Sequence, residues 1–245
     1  MTAQRLVATA VEPDGTWLYR VGGIAGLLLG IGYIAIFPVY ASVGAPPIGG
    51  EAWLEYSAGK TGAWSAILAL SVVTDVLFIP IALALYLALR EVHRDAMLLA
   101  ISFILLFVVL DLAVTWSNYA ALIALGDSYA AATTDAQRAA YVAAASYPAA
   151  VLGSTLEGVY SIVTLAVGML IVGLVMLRST FSLAAAWLGI ATGVLGIVSV
   201  GGALVVSGLS AAVILASVLT TIWALIVGFR LLQFGQPAET GRIDR

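Results

Sequence analysis

The sequence predicts an all-α protein of the polytopic membrane class, a six-transmembrane-helix bundle with two short interfacial helices in its outer loops. Hydrophobic residues make up 62% of the 245 residues, charged residues only 9%, and the mean hydropathy is +1.10. A soluble domain carries roughly a quarter charged residues. Apolar stretches of about 20 residues, long enough to cross a bilayer, recur along the chain. These observations together exclude a soluble globular fold.

Six apolar stretches separated by polar or turn residues define the predicted spans. They cover residues 19–40, 63–89, 96–125, 151–177, 181–206 and 209–232. Spans five and six are divided only by Ser207 and Gly208, so this division depends on a single turn. The predicted organisation is an amino-terminal tail at 1–16, a transmembrane domain at 17–235 and a carboxyl-terminal tail at 236–245.

The distribution of arginine and lysine predicts the orientation of the bundle. With an even number of spans, both termini lie on the same side. Eight arginines fall on that side: Arg5, Arg20, Arg90, Arg94, Arg178, Arg230, Arg242 and Arg245. Only Lys60 and Arg138 fall on the other. The positive-inside rule therefore predicts cytoplasmic termini in the cell inner membrane. The first twenty residues are too polar for the apolar core of a signal peptide, so we expect them to stay attached.

Each outer loop contains a predicted short helix. In the first loop, EAWLEYSAG forms a helix that ends at Gly59, and Trp53 and Trp64 are expected to anchor this region at the lipid headgroups. In the second loop, Thr134 and Gln137 are spaced as a capping box at the start of an Ala-rich helix. The two helices either form a lid over the bundle or lie along the interface.

Polar side chains fall on one face of four spans, because a helix brings residues three or four positions apart together. The stripes are Ser71 and Asp75 on span two, aligned with Phe78, Ala82 and Tyr86; Asp111, Thr115 and Asn118 on span three; Ser154, Glu157, Ser161 and Thr164 on span four; and, more weakly, Ser210, Ser217 and Thr221 on span six. Lipid cannot satisfy their hydrogen bonds, so we expect these faces to point inward. Asp75 and Asp111 should lie about 15–20 Å below the outer boundary, Glu157 and Asn118 about 10 Å. If the stripes meet, they form an acidic cavity that is open or gated toward the outer side.

The spans contain three carboxyl groups, and the only basic residues within the same bounds, Arg20 and Arg230, lie at span ends and not at the depth of these carboxyls. An aspartate at a helix centre costs about 2.5–3.5 kcal/mol to insert. Asp75, Asp111 and Glu157 are therefore protonated, face water, or hold a cation supplied from outside. The candidate ligand- or cation-binding residues are Asp75, Asp111, Thr115, Asn118, Glu157 and Ser161, and the candidate pocket walls are Phe78, Tyr86 and Trp116. Protonated carboxyls that serve only as interhelical hydrogen-bond partners are the alternative interpretation.

The scarcity of cysteine and histidine limits the chemistry. The chain contains no cysteine and one histidine, His93. Disulfides, thiolate metal sites, a haem held by two histidines and an intramembrane Ser-His dyad all lack their parts. We therefore assign no catalytic residue, no metal ligand and no cofactor, and we expect no nucleic-acid partner.

Glycines recur at helical spacing on two spans and predict close helix contacts. They are Gly22, Gly26 and Gly30 on span one, and Gly189, Gly193 and Gly196 on span five. These faces pack inside one chain, between copies in a homo-oligomer, or against another membrane subunit.

The stretch WLEYSAGKTGAWSAILALSVVTDVLFIPIALALYLALREVH, followed by an apolar span that ends in a polar outer loop, resembles an uncharacterised family of bacterial six-span membrane proteins, a domain-of-unknown-function family. The resemblance covers residues 17–235 and includes no diagnostic motif. It implies six helices in a bacterial cytoplasmic membrane, and it brings no known reaction or ligand.

The leading functional hypothesis is a pocket that binds or carries a cationic, amphiphilic or proton-coupled small ligand from the outer face. A non-catalytic subunit or lipid-binding scaffold of a membrane complex is the alternative. An intramembrane hydrolase that uses an aspartate dyad is a third hypothesis. The sequences around Asp75 and Asp111 lack the glycine-flanked motif of known intramembrane aspartyl proteases, so an enzyme is the less favoured class.

Overall fold

A computed structural model of the chain describes residues 16–236, and every regular element in that part is helical. The α-helices are α1 (Thr16–Val43), α2 (Gly50–Ser57), α3 (Thr61–Leu110), α4 (Ser117–Ala130), α5 (Asp135–Leu152), α6 (Thr155–Gly158), α7 (Thr164–Met176), α8 (Leu183–Gly201) and α9 (Ala212–Phe234). A first π-helix, Asp111–Trp116, joins α3 to α4, and a second, Val159–Val163, joins α6 to α7. Short 3-10 turns at Gly202–Leu204 and Ser207–Ala211 join α8 to α9. The all-α class is confirmed. Apart from residues 16 and 236, the predicted tails lie outside the described residues.

Five helical segments of the described chain are long and apolar enough to cross a bilayer, as expected of a multi-pass membrane protein. They are Thr16–Val43, Thr61–Ala130, Thr155–Met176, Leu183–Leu204 and Gly208–Phe234. The number differs from the predicted six because the second and third predicted spans belong to one helical stretch of 70 residues. The polar segment REVHRD, which the sequence suggested as a break, is itself largely helical.

The 70-residue stretch turns back on itself at His93. This residue has φ −161° and ψ 89°, which are not helical angles. The rings of Phe78 and Phe107, on opposite sides of the turn, have centroids 5.6 Å apart, whereas a straight helix would separate them by about 44 Å. The two halves of the stretch therefore pack side by side as a helical hairpin.

Glycines bring α1 against α9, and α7 against α8. A Cβ atom added at Gly26 would lie 2.8 Å from the Cα of Gly228, and one added at Gly193 would lie 2.6 Å from the Ala166 carbonyl oxygen. No side chain fits at such distances, so the backbones touch directly. The predicted glycine seams on the first and fifth spans are thus occupied by helices of the same chain.

Helix α2, of 8 residues, and helix α5, of 18, cover one end of the bundle, which we call the loop end. Trp53 and Trp64 are 3% and 1% exposed there, with ring centroids 5.3 Å apart. The prediction that they anchor the chain in the headgroup layer is wrong, since neither ring reaches the surface. The capping box is confirmed: Thr134 Oγ1 accepts from the Gln137 amide at 3.2 Å, and Gln137 Oε1 accepts from the Thr134 amide at 3.3 Å. The turn after α2 is also confirmed, with Gly59 at φ +75°.

The opposite end of the bundle, which we call the arginine end, is held together by arginine side chains. Arg20 Nε donates to the Gly235 carbonyl oxygen at 2.7 Å, and Arg230 Nη2 donates to the Thr180 carbonyl oxygen at 3.3 Å. These contacts join the start of α1, the α7–α8 turn and the end of α9. At the loop end, Lys60 Nζ donates to a carbonyl oxygen near the end of α1, that of Val43, at 3.2 Å. Three of the arginines used for the predicted orientation, Arg5, Arg242 and Arg245, lie outside the described residues.

Candidate functional site

The carboxyl group of Asp75 is bound by an indole from the other half of the hairpin. Trp116 Nε1 donates to Asp75 Oδ2 over 2.6 Å. Asp75 is only 4% exposed on the first half of α3, and Trp116 lies in the first π-helix. Sequence reasoning gave Trp116 the role of an apolar wall, whereas here it is a hydrogen-bond donor. An indole N–H supplies a donor but no compensating positive charge.

Asp111 lies against the same pair of side chains. Its carboxyl group is within hydrogen-bonding reach of Asp75, Thr115 and Trp116, and the residue is 5% exposed. One of its two oxygens, Oδ1, is buried without a hydrogen-bond partner. Two carboxyl groups from opposite halves of the hairpin therefore meet in the interior, and one acceptor among them is unsatisfied.

Glu157 joins this arrangement through a hydroxyl group. Thr115 Oγ1 donates to Glu157 Oε1 at 3.1 Å. Ser154 caps the first turn of α6 by accepting from the Glu157 amide at 3.1 Å, and Ser161 Oγ donates to the Glu157 backbone oxygen at 3.1 Å. The predicted carboxyl groups are therefore connected. We call the connected residues the acidic cluster: Asp75, Asp111, Glu157, Thr115 and Trp116.

Both sides of the acidic cluster are built on π-helical turns. The first π-helix begins at Asp111 and ends at Trp116, and the second follows directly after α6, which carries Glu157. A π-helical turn contains one more residue than an α-helical turn, so side chains five positions apart come onto one face. This geometry lets Thr115 and Trp116, which are neighbours in sequence, both contact the same cluster. Turns of this kind are rare and frequently occur at functional sites.

Three other predicted site residues have different surroundings. Asn118 Nδ2 donates to the Val114 carbonyl oxygen of its own helical segment at 2.7 Å. Phe78 is 1% exposed and belongs to the apolar core, one turn from Asp75. Tyr86 lies about 16 Å farther along α3 than Asp75, toward the arginine end. The structure therefore does not bring Asn118 and Tyr86 into contact with the cluster carboxyls.

The weak polar stripe on the last helix is satisfied locally. Ser217 Oγ donates to the Val213 carbonyl oxygen at 3.0 Å, and Thr221 Oγ1 donates to that of Ser217 at 2.8 Å. Each hydroxyl group thus bonds to its own helix one turn back. The hydroxyl groups of Ser217 and Thr221 therefore bond to the backbone of α9 and not to the acidic cluster.

Asp75, Asp111 and Thr115 are closed to solvent and Glu157 is half-buried, whereas the sequence suggested a cavity that is open or gated. A layer of aromatic side chains lies between the cluster and the loop end, and we call it the aromatic layer: Tyr40, Trp53, Tyr56, Trp64, Trp116 and Tyr119. The rings of Trp64 and Tyr119 are stacked with centroids 5.4 Å apart, and Tyr119 contacts Trp116 at 5.5 Å. The layer is continuous from α2 down to the cluster, which explains the burial of both aspartates.

Tyrosines near the cluster were missed by the sequence reasoning. Tyr33 lies close enough to Asp75 and Asp111 for their charges to act on its hydroxyl group, and Tyr119 lies in the electrostatic range of Asp111. Tyr33 follows Gly26 by seven residues, so helical spacing places it on the inward, glycine-bearing face of α1. The seven-residue spacing from Gly26 was therefore the sequence signal that could have predicted an inward-facing Tyr33.

The carboxyl groups of the cluster contact only uncharged protein donors. Within the described part of the chain, no lysine, arginine or histidine forms an ion pair with Asp75, Asp111 or Glu157. Among the same residues, no group of three or more acidic or histidine side chains is arranged to hold a metal ion. Any negative charge on the cluster is therefore not balanced by a basic side chain.

Comparisons with known proteins identify one family. Residues 24–235 match the family model described as "Domain of unknown function (DUF4386)". The match includes every residue of the acidic cluster. No curated protein matches the chain, and no solved structure matches it.

Proposed function

Since the chain belongs to the DUF4386 family of unknown function, we propose a function from its own residues: a proton-coupled binder or carrier of a small amphiphilic cation. The acidic cluster binds either a proton or the cation, which arrives from the side that the loop end faces. One observation carries this proposal. The carboxyl groups of Asp75 and Asp111 lie within hydrogen-bonding reach of each other in the interior, without a basic partner among the described residues.

The physical basis is repulsion between like charges in a medium of low polarity. Two carboxylate charges about 4 Å apart repel by about 4 kcal/mol at an effective dielectric constant of 20. Burial disfavours the charged forms further. Such a pair is stable when it shares a proton, as carboxyl dyads do, or when a cation takes the proton's place. Proton and cation therefore compete for one site, and this competition couples them.

Glu157 is the proposed entry point for the proton. It is half-buried on α6, and its carboxyl group accepts from Thr115, whose side chain also lies within reach of Asp111. A hydroxyl group both donates and accepts, so Thr115 can pass a proton between the two carboxyls. The aromatic layer above offers ring faces to an organic cation, which they attract through their quadrupoles.

We further propose six membrane crossings with both termini in the cytoplasm. The hairpin at His93 supports this count, because two antiparallel halves of about bilayer length account for the 70-residue stretch. The described arginines and lysines support the orientation. Arg20, Arg90, Arg94, Arg178 and Arg230 belong to the arginine end, and Lys60 and Arg138 belong to the loop end. In this orientation α2 and α5 lie at the outer surface.

The proton is tested by infrared titration of the purified protein in lipid nanodiscs. The wild-type protein should show a carbonyl stretching band of a buried protonated carboxyl, which disappears on deprotonation. Asp111→Asn and Asp75→Asn should each shift the frequency and the pH midpoint of the titrating band, because the remaining carboxyl is still buried but has lost its proton-sharing partner. Asp127→Asn, at an exposed carboxyl on α4, should leave the band intact. Persistence of the same band in Asp111→Asn would contradict the proposal.

The cation is tested with tetraphenylphosphonium, a lipophilic cation. Adding it to weakly buffered wild-type protein should release protons, since the cation displaces them from the cluster. Asp111→Asn should bind the probe more weakly and release none, and Asp127→Asn should behave as wild type. Binding without proton release would argue against competition for one site.

An aspartate dyad that activates water is a second candidate function, because two carboxyl groups within hydrogen-bonding reach of each other, as in Asp75 and Asp111, are the geometry that such chemistry requires. Trp116 occupies one oxygen of Asp75, and the pair is buried. This candidate predicts cleavage of transmembrane peptides in detergent that is lost in both Asp75→Asn and Asp111→Asn. Cleavage that neither substitution affects would eliminate it.

A further inference from the structure

A groove at the arginine end forms a site that is separate from the acidic cluster. It lies where the hairpin turn diverges from the end of α7, and its volume is about 370 Å³. Its walls are mainly apolar, with Val92, Ala96, Ile171 and Leu174 among them, and its two basic side chains are His93 and Arg178. An elongated apolar surface with positive charge at one end suits an amphiphile with a negative head.

The side chain of Arg178 is available to a ligand. It is exposed just beyond the end of α7, and no side chain or carbonyl in the described part of the chain binds its guanidinium group. A second groove, of about 360 Å³, contains Arg230 in a comparable position. Arg230 is already bound, because it donates to Gln233 Oε1 at 2.8 Å and lies 4.7 Å from the Phe234 ring centroid. Of the two grooves, the first is therefore the one whose guanidinium group is not bound by any residue that the structure describes.

His93 adds a second donor beside Arg178. Its Nδ1 accepts from the Ala96 amide at 3.2 Å. A neutral imidazole that accepts at Nδ1 carries its proton on Nε2, so that nitrogen donates. The same turn carries two acidic residues, Glu91, which lies 3.5 Å from Arg90, and Asp95, and neither of them lines the groove. The groove thus presents hydrogen-bond donors and positive charge to its occupant.

We propose that this groove binds an anionic phospholipid, with one acyl chain along Ile171 and Leu174 and the phosphate on Arg178 and His93. Basic residues between membrane helices at headgroup depth select anionic lipids, because zwitterionic lipids carry no net charge for them to attract. The occupant comes from the surrounding bilayer, because Leu174 on this face is exposed on a helix that is apolar enough to cross the membrane. The inference does not depend on the proposed function of the acidic cluster.

The test measures lipid retention by the purified full-length protein. Native mass spectrometry after exchange into phosphatidylglycerol or phosphatidylcholine should show a retained phosphatidylglycerol and no comparable phosphatidylcholine. Arg178→Gln should weaken phosphatidylglycerol binding about fivefold, the usual effect of one basic residue near a membrane surface. Leu174→Trp, which fills the groove and keeps both charges, should also lower retention.

Two controls separate the groove from general surface charge. Arg230→Gln removes the same charge at the same end of the bundle and should retain lipid as the wild type does. Inorganic phosphate should not displace the lipid, because it has no acyl chain. Equal retention of phosphatidylcholine, equal loss in Arg178→Gln and Arg230→Gln, or displacement by phosphate would each overturn the proposal. If Leu174→Trp fails to fold, the two arginine variants still decide the question.

Discussion

Trp116 contacts two parts of the molecule at once. Its Nε1 donates to Asp75, and its ring packs against Tyr119 in the aromatic layer. One side chain therefore links the carboxyl pair to the rings that close the cluster from the loop end. Removing the hydrogen bond while keeping an aromatic ring separates these two roles.

We predict that Trp116→Phe lowers the free energy of unfolding by about 0.6–1.7 kcal/mol, the range measured for polar contacts between membrane helices. The loss follows because the Asp75 carboxyl keeps its burial and loses its donor. Titration with SDS, monitored by circular dichroism, measures the change. Trp187→Phe, at a tryptophan that is 60% exposed, is the matched control and should change stability little. Equal stability of Trp116→Phe and wild type would contradict a structural role for this bond.

At the scale of single residues, the sequence predicted which side chains are buried better than it predicted their hydrogen-bond partners. Asp75, Asp111 and Thr115 were placed on inward faces by helical periodicity, and each is at most 5% exposed. The bond from Trp116 was not predictable in this way, because α-helical spacing places Trp116 away from Thr115. Only the π-helical turn brings Trp116 onto the face of Asp111, five positions earlier, and no residue type signals that turn.

Helix packing depends on positions where backbones touch. Gly26 on α1 faces Gly228 on α9, and a side chain on either would meet backbone atoms that cannot move aside. These two helices carry opposite ends of the described chain. Their contact therefore closes the bundle.

We predict that Gly26→Ala destabilises the protein by about 1–3 kcal/mol, the usual cost of adding a methyl group to a filled interior. A Cβ atom there would lie 2.8 Å from the Gly228 Cα, so the two helices must separate. The same SDS titration measures the loss. In Gly62→Ala no atom lies within 4 Å of the new Cβ, and this control should be neutral or slightly stabilising. Similar losses in the two variants would argue against the contact as the cause.

At the scale of elements, the sequence predicted correctly those features that depend only on neighbouring residues. The capping box at Thr134 and the left-handed Gly59 depend on a few neighbouring residues, and both were predictable. The hairpin turn was harder. The polar residues around His93 suggested a loop, but they remain helical except at one residue, because surrounding tertiary contacts hold both halves in place.

The bundle as a whole has two chemically different ends. Arginines hold together the helix ends at one of them, and two short helices with the aromatic layer cover the other. The segregation of charge by end was predictable from the sequence, because hydrophobic spans leave charges only at their ends. The degree to which Asp75 and Asp111 are shielded from solvent was not, since it depends on ring packing between distant segments.

We predict that the loop end faces the outside of the cell. The chain has no cysteine, so an introduced thiol is unique. Ile48→Cys and Asp135→Cys, both at exposed loop-end positions, should react with a membrane-impermeant maleimide in intact cells. Asp95→Cys, exposed beside the hairpin turn, should react only after permeabilisation. Labelling of Asp95→Cys in intact cells would reverse the orientation, and unequal labelling of the first two would contradict a common loop end.

His93, the residue with non-helical backbone angles inside α3, is the pivot between the two halves of the hairpin, which form its two arms. Asp75 and Asp111 lie on opposite arms, and His93 at the pivot also lines the lipid groove. Any motion that spreads the arms to admit a cation must be absorbed by the backbone at that pivot. A lipid bound in the groove beside His93 therefore changes the free energy of spreading the arms. By thermodynamic reciprocity, spreading the arms changes the affinity for that lipid.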